Sequence, residues 1–237
     1  MKILVIAAHP DDEVLGMGGT IKKLTKNGGD VKIVIMATGI LSRRSSNYQN
    51  SIKYDTDDKT MKKMNEQITK LRSDAVTASK ILGVTDIQFE QFPDNEMDTV
   101  SNLQITKKIE EILELYKPDI VYTHSQFDIN IDHRALYFAT ITATRPKKNQ
   151  NTKEVISFEV PSSTEWYFPH SFSPNIFVDI SQEIQFKLRA LKAYKNELQE
   201  FPHPRSLEAL TAISKRWGSV SGFKNAEAFY LVRKLQR

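Results

Sequence analysis

Near its start the chain places one imidazole and three carboxylates side by side, in His9-Pro10-Asp11-Asp12-Glu13. Such groups repel one another and lose hydration when buried, so the arrangement costs stability unless something compensates, and a bound divalent cation is the simplest compensation. A second cluster follows much later, in His124-Ser125-Gln126-Phe127-Asp128-Ile129-Asn130-Ile131-Asp132-His133-Arg134. A histidine from one cluster with a histidine and an aspartate from the other would form a nitrogen–oxygen donor set suited to zinc, with a position left open. By residue type alone, the first stretch reads equally as an aspartate-rich turn in which Asp11 or Asp12 caps a helix.

Both clusters sit in the same local context. Lys2 to Ala8 is an apolar run of the kind a buried parallel strand needs, and an amphipathic stretch reaching Lys26 follows the cluster. Pro118 stops a helix before the short apolar strand ending at Thr123, and the second cluster leads into helical periodicity from Ala135 to Thr144. Strand, polar loop and helix thus occur twice, and open α/β sheets bind ligands outside the carboxyl ends of their strands. Further strands are expected at Val31–Ala37, Ile87–Phe92, Glu154–Val160, Ile176–Ile180 and Ala226–Leu235, the last with Glu227 facing the site rim. Helices are expected at Asp58–Leu82, closed by Gly83, at Asn102–Tyr116, from a Ser181 cap to about Gln199, and at Leu207–Trp217. The expected fold is a Rossmann-like three-layer α/β/α domain over residues 1–237 with a mostly parallel sheet and its site at the carboxyl ends of the strands.

Composition narrows the classes. The 237 residues are 40% hydrophobic and 26% charged, ordinary for a water-soluble α/β domain. There is no cysteine, which removes disulfides and thiolate metal sites. No apolar run reaches the roughly 18 residues of a membrane span, and the chain opens on a strand rather than a signal peptide, so a cytoplasmic protein without a membrane partner is expected. The net charge of +4 is scattered, with no basic–aromatic array for nucleic acid. Gly16, Gly18 and Gly19 lack the spacing of a dinucleotide fingerprint and follow an acidic loop, so they read as packing glycines. Arg43, Arg44, Ser45 and Ser46 lie in a long polar stretch that either forms a wall of the site or is simply solvated.

The strings AHPDDE and DINIDHR resemble those of the LmbE-like, or PIG-L, superfamily, related to N-acetylglucosaminyl-phosphatidylinositol de-N-acetylase, and the resemblance runs over most of the chain. It implies a metal-dependent hydrolase, usually a zinc enzyme, that removes an acetyl group from an N-acetylated sugar or sugar conjugate. His9, Asp12 and His133 match the metal ligands, with zinc expected and iron(II) or cobalt(II) also compatible with the donor set. Asp11 matches the general base that takes a proton from a metal-bound water. Arg72 and Asp94 match substrate contacts. Asp132 and Glu13 are placed as supporting carboxylates behind the ligands.

One position departs from the pattern. Asn130 stands where many members have a histidine that assists the oxyanion or protonates the leaving amine. Its amide can donate a hydrogen bond but cannot give a proton, so either Asp11 serves as both base and acid or His170 or His203 replaces the missing group. His124 is expected to be structural, and Trp166, Tyr167 and Phe168 to be core. Besides a sugar deacetylase, the sequence leaves open an amidase or deacylase for another N-acyl molecule and a non-catalytic sugar-binding protein. It is compatible with a homo-oligomer.

Overall fold

The computed structural model describes residues 1–43, 58–148 and 151–236. Its strands are β1 (Lys2–Ala7), β2 (Asp30–Ala37), β3 (Asp86–Phe92), β4 (Ile120–His124), β5 (Glu154–Phe158), β6 (Ile176–Asp179) and β7 (Ala226–Lys234). Its helices are α1 (Asp12–Lys26), α2 (Asp58–Leu82), α3 (Asn102–Tyr116), α4 (Ile131–Ala143), α5 (Ile184–Leu191) and α6 (Leu207–Ser221). The strands form one sheet in the order β3-β2-β1-β4-β5-β7-β6, in which β7 runs antiparallel to both neighbours.

Helices cover both faces, which explains why β1 is apolar throughout. Ile3, Val5 and Ala7 enter the core beneath α1, α2, α5 and α6, while Leu4, Ile6 and Ala8 enter the core beneath α3 and α4. β1 pairs with β2 on one side and with β4 on the other. The chain winds outward from β1 through β2 to β3, then returns to place β4 on the opposite side. The loops leaving β1 and β4 therefore part company at the point where the winding reverses, the crevice in which doubly wound sheets bind their ligands. Among the described residues no helix is long and apolar enough to cross a membrane.

The glycines of α1 act through close packing. A Cβ on Gly16 would come within 2.5 Å of the Phe158 ring and 2.9 Å of the Glu159 carbonyl, and one on Gly19 within 2.8 Å of Ile180. Between them the helix is broken at Met17, with φ −147°. Glu227 answers the break from β7, accepting the Gly19 amide at 3.0 Å and the Thr20 amide at 2.6 Å. Lys187 joins it, donating to Glu227 at 2.6 Å and to the Leu15 carbonyl at 2.8 Å. Glu227 is thus buried under α1 instead of facing the site rim.

Other expectations change as well. Ser181 does not cap α5: its hydroxyl donates to Asp179, and the helix begins at Ile184 after a turn held by the Ile180 carbonyl. The helix also stops at Leu191, well short of Gln199, because Tyr194 turns into the core and donates to Glu13. α6 continues to Ser221, past Trp217, and ends on Gly222 in the left-handed region. Trp166 and Phe168 are 44% and 79% exposed, so they are surface rather than core, while Tyr167 rests half-buried against Phe127. The Arg43 side chain, Arg44, Ser45 and Ser46 lie outside the described residues.

Two measurements probe this frame. Gly16→Ala forces a methyl onto backbone, and its unfolding free energy in urea should fall by about 1–3 kcal/mol. Glu159, just past β5, has its carboxyl pushed up to about 7 by burial, against a lowering by the Trp217 indole that donates to it. The folded state therefore holds a proton that the unfolded chain has already released, and stability is lost as pH rises from the ordinary glutamate value toward 7. Glu159→Gln still accepts from Trp217 but carries no charge. It should unfold a few degrees above the parent at pH 8, with the difference shrinking by pH 5 in thermal scans.

Candidate metal centre

The loop after β1 and the loop after β4 meet at Asp12. Its Oδ2 lies 3.3 Å from His9 Nδ1 and 3.2 Å from His133 Nε2, and it also accepts the His9 amide at 2.8 Å. The three residues can present one ligand atom each, all within 4.8 Å of one another. Asp12 comes from the first turn of α1 and His133 from the first turn of α4, so both helix N-termini direct their dipoles at this point.

The outward nitrogen of each ring is anchored. His9 Nε2 faces Asp132 at 3.0 Å and Asp94 at 3.2 Å. His133 Nδ1 faces Asp128 at 3.0 Å, and the Asp128 carboxylate is fixed in turn by the hydroxyls of Ser163 and Thr164 and by the Asn130 amide. Asp132 further accepts the Asn95 and Met97 amides at 2.7 and 2.9 Å. A carboxylate behind each imidazole sets its orientation and raises its basicity, the usual support for a metal-bound histidine. His124, the last residue of β4, accepts the Ala8 amide through Nε2 at 2.8 Å and stacks on His133 with ring centres 3.9 Å apart. That bond makes it a neutral, structural ring, and burial together with the His133 charge keeps its pKa well below the usual value.

Burial alone would lower the pKa of His133, but Asp12 and Asp128 override it and hold the ring up to about 9. His9 is likewise raised well above its ordinary value, by Asp12, Asp132 and Asp94 against its burial. Asp12 is held low despite burial, by the two rings and His124. Asp12 Oδ1 and His133 Nε2 of the His9–Asp12–His133 group are among the buried side-chain atoms of the described residues that have no hydrogen-bond partner, as is His124 Nδ1 beside them. A polar atom buried without a partner calls for an explanation, and a bound cation would supply one for Asp12 Oδ1 and His133 Nε2. The donor set fits a divalent ion such as zinc.

Asp11 stands beside this group at the N-cap position of α1, yet its side chain caps nothing. Its φ of 111° is left-handed, costly for an L-residue. Glu13 accepts its amide at 3.2 Å, and Arg205 Nη1 donates to its carboxylate at 3.0 Å. Burial drives the Asp11 carboxyl well above the usual range, with Arg205 opposing.

Other expected site residues are placed differently. Asp94 is wholly buried and supports His9, with the Ser42 amide and the Asn95 side chain donating to it. Arg72 donates to the Glu90 carbonyl at 3.1 Å and lies over the Phe89 ring, covering β3 at the sheet edge. None of its described bonds reaches the histidines. Asn130 caps α4, its Oδ1 accepting the Asp132 and His133 amides while its Nδ2 donates to Asn95 at 2.7 Å. His170 is exposed, and His203 accepts the Arg205 amide. Residues not singled out from sequence are Asp128, Ser163, Thr164 and Arg205. Asp128 alone had a local signal, as a further acid in the loop that carries His133.

Fold and site define a doubly wound α/β protein with a His–Asp–His group that could hold a divalent cation at its topological switch point. The match of residues 4–144 to the family model described as PIG-L, GlcNAc-PI de-N-acetylase, shows that the chain belongs to that family. It is 29% identical to the diacetylchitobiose deacetylase of Thermococcus kodakarensis over 98% of this chain and 83% of that protein. It is 30% identical to the uncharacterized deacetylase YaiS of Escherichia coli over 82% of this chain and 90% of that one. The N,N'-diacetylchitobiose deacetylase structure from Pyrococcus horikoshii superposes with a TM-score of 0.73 at 24% identity, covering 98% of this chain and 84% of that one.

Zinc titration by calorimetry checks the centre. A single tight site is expected, absent in His133→Ala, and Asp128→Asn should weaken it by about 10–100-fold while leaving its stoichiometry unchanged.

Proposed function

We propose that the chain hydrolyses the acetamide of an N-acetylated sugar or sugar conjugate, with a zinc ion held by His9, Asp12 and His133 and with Asp11 as the base. The observation that carries this reading is the convergence of two carboxylate-backed histidines on Asp12, with Asp12 Oδ1 and His133 Nε2 left unsatisfied beside a strained, buried Asp11. A divalent ion in that cradle would polarise the amide carbonyl and make a water more acidic.

The chain's own groups do the rest. Asp11 takes the proton of the attacking water, a contribution typically on the order of 10²–10⁴-fold. The water oxygen bonds to the carbonyl carbon, the carbon–nitrogen bond breaks, and acetate and a free amine leave. The amine needs a proton at that moment. Asn130 has none to give, and its amide is engaged with α4 and Asn95. His170 shows no described bond into the site, and His203 faces the Arg205 backbone. Asp11 therefore returns the proton it took, acting as base and then as acid.

The sugar assignment rests on the relatives, which include a diacetylchitobiose deacetylase and a probable N-acetyl-α-D-glucosaminyl L-malate deacetylase from Bacillus cereus. The test is release of acetate and amine from a panel of N-acetylglucosamine conjugates by zinc-loaded protein, beside N-acyl compounds without a sugar. Asp11→Asn should bind the same amount of zinc and lose about 10²–10⁴-fold in kcat. Equal turnover of the non-sugar amides would replace the sugar reading by that of a general N-acyl amidase. Unchanged kcat in Asp11→Asn would remove the base.

A further inference from the structure

Among the described residues four that are not glycine hold a positive φ, namely Asp11, Asn95, Lys117 and Ser162. Strained backbone of this kind persists where the surrounding structure over-determines it. Two of these residues are the ends of one link. Arg205 Nη1 donates to Asp11 Oδ2 at 3.0 Å, and Arg205 Nε donates to Ser162 Oγ at 2.7 Å. Nη1 also reaches Glu197 at 3.4 Å. The backbone of Arg205 is fixed as well, its amide donating to His203 Nδ1 at 3.1 Å in the turn before α6. On the other end, Glu165 accepts the Ser162 amide at 2.7 Å.

The guanidinium is therefore clamped before it touches Asp11. The Asp11 amide is clamped too, by Glu13, whose other oxygen accepts the Tyr194 hydroxyl. Held at both backbone and carboxylate, Asp11 has little freedom to rotate. One carboxylate oxygen is tied to the arginine, which leaves the other to carry the proton. A lysine could not reproduce this, because the planar fork holds Ser162 and Asp11 at once from two fixed directions.

We propose that Arg205 is a positioning residue for the base: it orients the Asp11 carboxylate for proton transfer and neutralises the buried negative charge there, without touching the metal. This deepens the deacetylase reading and rests on it. A base displaced by an ångström or less can cost on the order of 10²-fold in rate, so the loss belongs in kcat.

Steady-state kinetics of Arg205→Ala on an N-acetylglucosamine conjugate tests it, together with zinc content. The expected result is a fall in kcat on the order of 10²-fold, KM and zinc stoichiometry unchanged, and partial recovery on adding methylguanidinium. Arg205→Lys, which keeps the charge and stands in if the alanine variant does not fold, should also lose kcat and should not be rescued. Wild-type kcat in either variant, or a loss confined to KM, overturns the proposal. If the wild-type protein itself releases no amine, the deacetylase reading fails and the contact is tested without activity. Thermal unfolding of Arg205→Ala, Asp11→Asn and the double variant should then be non-additive, and additivity would show that the two groups are not coupled.

Discussion

Asp12 Oδ2 is the atom on which the site converges. Two imidazoles turn one nitrogen each toward it, and the other oxygen of the same carboxylate, Asp12 Oδ1, has no hydrogen-bond partner. Much of the surrounding structure follows from that crowding. Each ring needs a carboxylate behind it, which Asp128 in the loop before α4, Asp132 in the first turn of α4 and Asp94 after β3 provide. Those carboxylates need donors, which come from the Asn95 and Met97 amides and the Ser163 and Thr164 hydroxyls. Buried charge at this density is tolerable because nearly every oxygen is hydrogen-bonded and because the centre can accept a cation.

The sheet makes that convergence geometrically simple. β1 and β4 are neighbours whose following helices lie on opposite faces, so the connecting loops diverge and leave a crevice between them. α1 also approaches β5 closely, which Gly16 permits, and it breaks at Met17 before Gly19 meets Ile180. Glu227 and Lys187 repair the broken helix with a buried ion pair.

The parts legible in the sequence were those with local cause. An apolar run such as Lys2–Ala7, a terminating Gly83, or histidines and aspartates crowded after a strand declare themselves in a short window. The roles of Asp94, Arg72 and Arg205 depend on what lies opposite them, and periodicity carries none of that. Asp94 backs His9 and Arg72 lies against an edge strand, contacts that neither residue's neighbours in the chain announce. Arg205 lies in a proline-rich turn far from Asp11 in the chain, so no spacing could pair them. Trp166 and Phe168 show the converse, since an aromatic cluster suggests core where the fold leaves it outside.

The order of these groups along the chain has a further meaning. His9, Asp12 and His133 all fall within residues 4–144, the segment that matches the family model, whereas Ser163, Thr164, Tyr194 and Arg205 follow it. The first segment supplies the candidate ligands, their backing carboxylates and Asp11, and the remainder supplies the hydroxyls that fix Asp128 and the guanidinium that reaches Asp11. The histidines and carboxylates of the cluster are thus complete before the family segment ends, and the rest of the chain closes around them.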